Sequence, residues 1–148
     1  MSIDISVATT IGRPREEVAE FATDPTNDTA WIGGISEARV VTDGPPGPGS
    51  RVARVASFLG KRIEYVNEVD ELVPGERLVM HSVAGPFPMR ITYEFADAGD
   101  GSVARIRVEG DAGGFYAIAT PILRRKVRRS VEADLARLKH LLERAVPA

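Results

Sequence analysis

Cysteine is absent from this sequence, which excludes disulfides, thiolate metal sites and cysteine nucleophiles. Histidine is scarce, with only His81 and His140, so a multi-histidine metal centre cannot be assembled. No stretch approaches the ~20 apolar residues of a membrane-spanning helix. The opening MSIDISVATT alternates apolar with polar residues and lacks the apolar run of a secretory signal. Charge of one sign is not in excess: 19 basic and 21 acidic residues leave a formal charge of -2. That balance gives no general attraction to nucleic acid or acidic lipid. GxGxxG, Walker, HExxH and nucleophile-elbow motifs are all missing. The expectation is a cytoplasmic protein with no stable membrane insertion, no nucleic-acid partner, no cofactor and no metal.

What is present suits one domain spanning residues 1–148. A chain of about 150 residues buries roughly 68–70% of its unfolded surface, enough for one core. Ile3, Ile5, Val7, Thr9 and Ile11 alternate with Asp4, Ser6, Ala8 and Thr10, the period of a half-buried strand. Pro14, Glu16 and Glu17 then suit the first turn of a short helix with Val18, Phe21 and Ala22 on its apolar face. Asp24-Pro25 ends it, and a second short helix or turn carries Trp31. Strand patterns follow at 37–42, 51–59, 62–72, 77–83, 88–96 and 103–109, with the Gly-Pro run 44–49 as a hairpin loop. Pro74-Gly75 and Asp100-Gly101 are further turn signals.

Two strands declare their faces. Met89, Ile91, Tyr93 and Phe95 oppose Arg90, Thr92 and Glu94, and Ala104, Ile106 and Val108 oppose Arg105, Arg107 and Glu109. One dry and one wet face mean a sheet covered on one side. The cover is a long C-terminal helix. At about 100° per residue, Leu123, Val127, Val131, Leu135, Leu138, Leu141 and Leu142 share one arc. Phe115, Ile118 and Ile122 fall on nearly the opposite side, so a kink or break is expected at Pro121.

The opening IDISVATTIGRPREEVAEFATDP, the segments RIEYVNEVDELVPGERLVM and GPFPMRITYEF, and the closing DLARLKHLLE occur in an order and spacing that resemble the helix-grip superfamily. That superfamily is also called START-like or SRPBCC, and the closer likeness is to its bacterial polyketide cyclase/dehydrase-like branch. The resemblance covers nearly the whole chain. It implies an α+β fold in which a curved antiparallel sheet of six or seven strands wraps a long C-terminal helix, with two short helices after the first strand. It also implies an internal cavity for lipids, polyketides, hormones or aromatic compounds. It does not imply one activity, because members include carriers, sensors and cyclases.

Candidate ligand-binding residues follow from faces and chemistry. Tyr65 and Asn67 share a face with Ile63 and Val69, and Tyr93 shares one with Met89 and Ile91. A polar tip on an apolar wall orients a ligand, or else bonds a backbone carbonyl in the core. Asn67 is the sharper case, because a buried amide has more groups to satisfy than one neighbour provides. Trp31 either lines the cavity mouth or fills the core under the short helices. His81 is a general base or ligand contact if Val79 and Val83 point inward, and a solvent-facing residue if Leu78 and Met80 do. Glu64, Glu68 and Asp70 read as a solvated face opposed to neighbouring arginines. Phe115, Tyr116, Ile118 and Ile122 have an apolar destination of their own beside the break at Pro121.

The run Arg124-Arg125-Lys126-Val127-Arg128-Arg129 is a solvated helix surface, a set of ligand anchors at the cavity mouth, or a docking site for an acidic membrane or partner. Helix phase puts Arg124 inside the apolar arc and makes it the mouth-anchor candidate.

No residue is assigned as catalytic. The leading expectation is a monomer or homodimer that binds a small hydrophobic or aromatic molecule as carrier, sensor or accessory protein. The alternative is a polyketide cyclase- or dehydratase-like enzyme working by orientation plus acid–base chemistry from Tyr65, Asn67, His81 or Tyr93. An interaction module built on the basic run is a third reading. An inward cluster of two or more titratable groups favours the enzyme over the plain binder.

Overall fold

The isoleucines of the opening alternation form strand β1 (Ile3–Ile11), where Ile3, Ile5 and Ile11 are buried and Asp4 and Ser6 face solvent. In this computed structural model residues 3–144 are described, so the ends of the expected 1–148 span lie outside them. Helix α1 (Arg15–Thr23) follows, buries Val18, Ala19 and Ala22, and stops at Asp24, whose carboxylate accepts from the Thr26 N–H. A 3-10 turn (Pro25–Asn27) leads into the single turn α2 (Asp28–Trp31). Six strands then run as a meander: β2 (Ile35–Val40), β3 (Arg51–Phe58), β4 (Lys61–Val73), β5 (Arg77–Ala84), β6 (Met89–Ala98) and β7 (Gly101–Gly110). The turn α3 (Gly113–Tyr116) and the long helix α4 (Thr120–Arg144) complete the order.

All pairings are antiparallel, in the order β1-β7-β6-β5-β4-β3-β2. The seven strands curl into a half-barrel around α4, which is the helix-grip architecture. Strand β2 begins earlier than its sequence pattern indicates, because the Gly34 carbonyl already accepts from Ser57 N–H at 2.8 Å. The 44–49 run is the β2–β3 loop, and Gly75 takes a left-handed φ of 79° in the β4–β5 turn. At the β6–β7 hairpin the left-handed residue is Gly99, so the turn lies one residue before Asp100-Gly101.

Leu123, Val131, Leu135, Leu138 and Leu142 form the buried stripe of α4, each burial contributing about 1.5–3 kcal/mol. Polar ties then seat the helix on β1 and its exit: Lys139 Nζ donates to the Thr10 carbonyl at 2.6 Å, and Glu143 accepts from Gly12 N–H at 2.8 Å.

Pro121 does not kink this helix. It sits in the first turn, where its missing N–H has no intrahelical acceptor to lose. Ala117, at a left-handed φ of 54°, separates α3 from α4 and turns Phe115 and Tyr116 toward their own contacts. The opposed phases of Phe115 and Leu123 thus reflect two elements instead of one bent helix.

Candidate functional site

Between the concave face of the sheet and α4 lie two adjoining chambers. The outer one, ≈ 170 Å³, is apolar: Phe58, Ile63, Phe87, Met89, Tyr116 and Leu123 form much of its wall. The inner one, ≈ 120 Å³, is bounded by Trp31, Arg54, Asn67, Met80, Ile91, Tyr93 and Asp134. Tyr65, Val108 and Val131 belong to both walls, so the chambers form one amphipathic space. A larger depression, ≈ 660 Å³, lies among Glu37, Arg39 and Glu64 and also touches Arg54 and Tyr65.

The inner chamber gets its polarity from a buried ion pair. Arg54 Nε donates to Asp28 Oδ2 at 2.6 Å, with the side chains only 5% and 1% exposed. Arg54 Nη1 also lies 3.6 Å from Met80 Sδ. Burial pushes the Asp28 carboxyl above its ordinary value, against the pull of Arg54. For Arg54, burial acts to lower the guanidinium, and Asp28 together with Tyr93 and Tyr65 raises it overall. The pair is therefore an oriented charge couple in a dry setting, where electrostatic interactions are strongest. Burial also pushes the Tyr65 and Tyr93 phenols up, so both are neutral hydrogen-bonding groups at physiological pH.

Trp31 packs edge-on against Tyr93, with ring centroids 5.9 Å apart. Helix α4 holds this corner in place. Asp134 accepts from Gly33 N–H at 3.0 Å and from Arg137 at 2.9 Å, and Arg137 Nε donates to the Trp31 carbonyl at 3.0 Å. Burial raises the Asp134 carboxyl, while the Gly33 N–H works the other way.

Three buried polar atoms along this space have no protein hydrogen-bond partner: Trp31 Nε1, Asn67 Oδ1 and the Tyr116 hydroxyl. Buried polar groups are nearly always paired, so these three atoms are exceptions.

The structure sorts the residues singled out from sequence. Trp31, Tyr65, Asn67, Ile91 and Tyr93 line the inner chamber, and Met89 and Tyr116 line the outer one with Tyr65. Phe115 stands behind that wall, tilted against Phe87 at 5.5 Å and edge-on to Tyr116 at 4.9 Å, and Ile118 packs against the core without lining a chamber.

Three residues need correction. Ile122 is 50% exposed, and Arg124 is exposed beyond the stripe, because α4 meets the sheet along Leu123 and Val127. His81 lies on the convex face, since Leu78 and Met80 take the concave positions of β5. There its Nδ1 pairs with Asp70 at 2.8 Å. Glu68, Asp70 and His81 bring three donor atoms within 4.8 Å, but Arg51 and Arg90 already pair the two carboxylates.

Arg54, Asp28 and Asp134 escaped the sequence reading. Strand β3 carries small apolar residues on both faces, Val52 and Ala56 inward, Ala53 and Val55 outward, so alternation could not assign Arg54 a side. The available signal was the inward frame Val52-Arg54-Ala56, which only a known neighbour register reveals.

The model of one protein family, described as polyketide cyclase / dehydrase and lipid transport, matches residues 2–143. The chain belongs to that family. Membership supports hydrophobic ligand binding in general.

Solved structures of the same fold agree. A START superfamily protein from Mycobacterium smegmatis superposes with TM-score 0.83 at 11% identity, over 97% of this chain and 99% of that one. A protein from Thermus thermophilus gives 0.80 at 20% identity, over 97% and 99%. The Zhui aromatase/cyclase from a Streptomyces species gives 0.80 at 15% identity, over 100% and 98%. At these identities the likeness concerns the fold. No curated protein matches the sequence. Among the described residues no helix is long and apolar enough to cross a membrane.

Proposed function

We propose that this family member binds a small, largely apolar aromatic or polyketide-like molecule that carries a neutral hydroxyl or enol at its inner end. One observation supports this above the others: the apolar outer chamber leads into an inner one where Asn67 Oδ1 and Trp31 Nε1 are buried without partners. A hydroxyl both accepts and donates, so it can satisfy the indole N–H and the amide oxygen. A carboxylate only accepts, and the charge of Arg54 is already engaged by Asp28. Entry of a second anion beside Asp28 and Asp134 is opposed by desolvation and like charge. Carrier, sensor or accessory protein are the roles this binding serves.

The test is calorimetric titration with naphthol, methoxynaphthalene and naphthoate. Naphthol binds tightest, by about tenfold over the ether, which accepts from the indole N–H but cannot donate to the amide oxygen, and naphthoate binds weakest. Failure of all three to bind sinks the cavity reading, and equal affinities sink the hydroxyl end.

A second reading has its own support. Asp28, Arg54, Tyr65, Tyr93 and Asp134 gather five titratable groups on the ligand side of the sheet, the cluster expected of a cyclase- or dehydratase-like catalyst. In that reading the chambers hold a reactive chain in one conformation and exclude water, and the neutral phenols hold a carbonyl or enol oxygen by donating hydrogen bonds to it. Turnover of a poly-β-ketone thioester mimic, lost in Tyr65→Phe with binding intact, separates catalyst from carrier.

A further inference from the structure

The outward face of α4 combines features that a merely solvated helix does not need. Between Ala112 and Val131 the chain carries Arg124, Arg125, Lys126, Arg128 and Arg129 and no acidic residue, although the whole protein is net negative. All five are exposed. Arg128 reaches the Ser6 carbonyl at 3.3 Å, and the other four have no hydrogen-bond or ion-pair partner among the described residues. Elsewhere the surface arginines are largely matched, as in Arg51–Glu68, Arg77–Glu94 and Arg107–Asp4.

Ile122 stands at the N-terminal end of this unmatched charge. It is 50% exposed, the highest value among the described large hydrophobic residues. Arg125, Lys126 and Arg129 follow it by three, four and seven residues, so they share its helix face. The opposite face of the same turns, Leu123 and Val127, belongs to the outer chamber. At the same end, the β3–β4 turn docks on α3 through Lys61, whose Nζ donates to the Phe115 carbonyl at 2.6 Å. That turn carries Leu59, 38% exposed.

We propose that this face docks on the surface of an anionic phospholipid bilayer, with Ile122 entering the headgroup layer and Arg125, Lys126 and Arg129 contacting lipid phosphates. Two arguments favour a bilayer over a nucleic acid or an acidic protein. One end of the face is an exposed isoleucine, which gains nothing against a phosphate backbone but gains burial below a headgroup layer. Long basic side chains beside it can keep their charges at phosphate level while their stems contact lipid. Each basic residue near an anionic surface contributes on the order of 1 kcal/mol, so three act together as a strong anchor.

Vesicle co-sedimentation tests this with the whole protein. Vesicles of phosphatidylcholine alone are compared with vesicles containing phosphatidylglycerol. Binding is expected only to the latter, and it should fall as salt rises. The triple variant Arg125→Gln, Lys126→Gln, Arg129→Gln should bind the anionic vesicles about a hundredfold more weakly. Ile122→Ser should lose about tenfold. The charge-matched control Arg39→Gln, Arg90→Gln, Arg105→Gln, on the convex face of the sheet, should bind as the unaltered protein does. Equal binding to both vesicles, no binding to either, or an equal loss in the control overturns the proposal. Binding to soluble polyglutamate but to neither vesicle assigns the face to an acidic protein and overturns it too.

Discussion

Removing one partner of the Arg54–Asp28 pair is the perturbation whose size the structure constrains best. Both side chains are nearly excluded from water and 2.6 Å apart. Asp28→Leu leaves a guanidinium with a sulfur neighbour and no counterion, at a cost of about 3–5 kcal/mol. For a chain of this size each kcal/mol lowers Tm by about 2–4 °C, so a drop of roughly 10 °C is expected. Arg54→Met leaves a buried carboxylate and costs a similar amount at neutral pH. The double variant restores an apolar, uncharged pair and should be neutral or more stable by about 1–4 kcal/mol.

The pH dependence separates the two single variants. Burial raises the folded-state pKa of Asp28 above its ordinary value of 3.8, so the native state holds its proton to higher pH than the unfolded chain. Stability from this group is then fully present below about pH 4 and falls as pH rises through the folded value. Loss of Arg54 removes the opposing pull and raises that value further. The cost of Arg54→Met should therefore grow between about pH 4 and pH 7, while that of Asp28→Leu should shrink as pH rises through the folded Asp28 value, because the unaltered protein loses the contribution of that group there. Urea unfolding at a series of pH values measures both. Single variants costing under about 1 kcal/mol, or a double variant worse than either, would refute the account of a desolvated pair.

Two further outcomes follow from the same geometry. Asn67→Leu removes an unpaired buried amide, so the protein should gain about 1 kcal/mol in stability while losing its preference for naphthol over methoxynaphthalene. Denaturation and calorimetry on one preparation read both, and a stability loss would show that the amide has a structural partner. Gly101→Ala would place a Cβ 2.3 Å from the Ile11 carbonyl oxygen, backbone against backbone. This substitution should destabilise by more than about 2 kcal/mol, and a Tm within about 2 °C of the unaltered protein would disprove the close approach.

Local pattern was enough for the elements, and the family resemblance implied how they are arranged. The alternations in β1, β6 and β7 and the leucine stripe of α4 are properties of single elements, readable because side-chain period depends only on backbone geometry. Tyr65, Tyr93 and Asn67 were legible for the same reason: each sits in a strand with one clearly apolar face. His81 and Arg124 were not. Leu78, Val79 and Met80 are all buried, so β5 has no period of its own, and pairing with β4 and β6 decides its faces. Ile122 and Arg124 likewise depend on which side of α4 the sheet covers: contact runs along Leu123 and Val127 and leaves both exposed.

The sequence by itself determined a curved antiparallel sheet around a C-terminal helix, with polar tips on an apolar wall. Only the tertiary structure decided where charge enters that wall. Arg54 and Asp28 are 26 residues apart and meet because β3 pairs with β4 and the turn at α2 closes over the sheet. An ion pair of that kind is a property of two elements brought together, and neither segment alone records it. The same holds for the basic face of α4. Its charges are plain in the sequence, but that they stand unmatched beside Ile122 depends on which side of the helix the sheet covers.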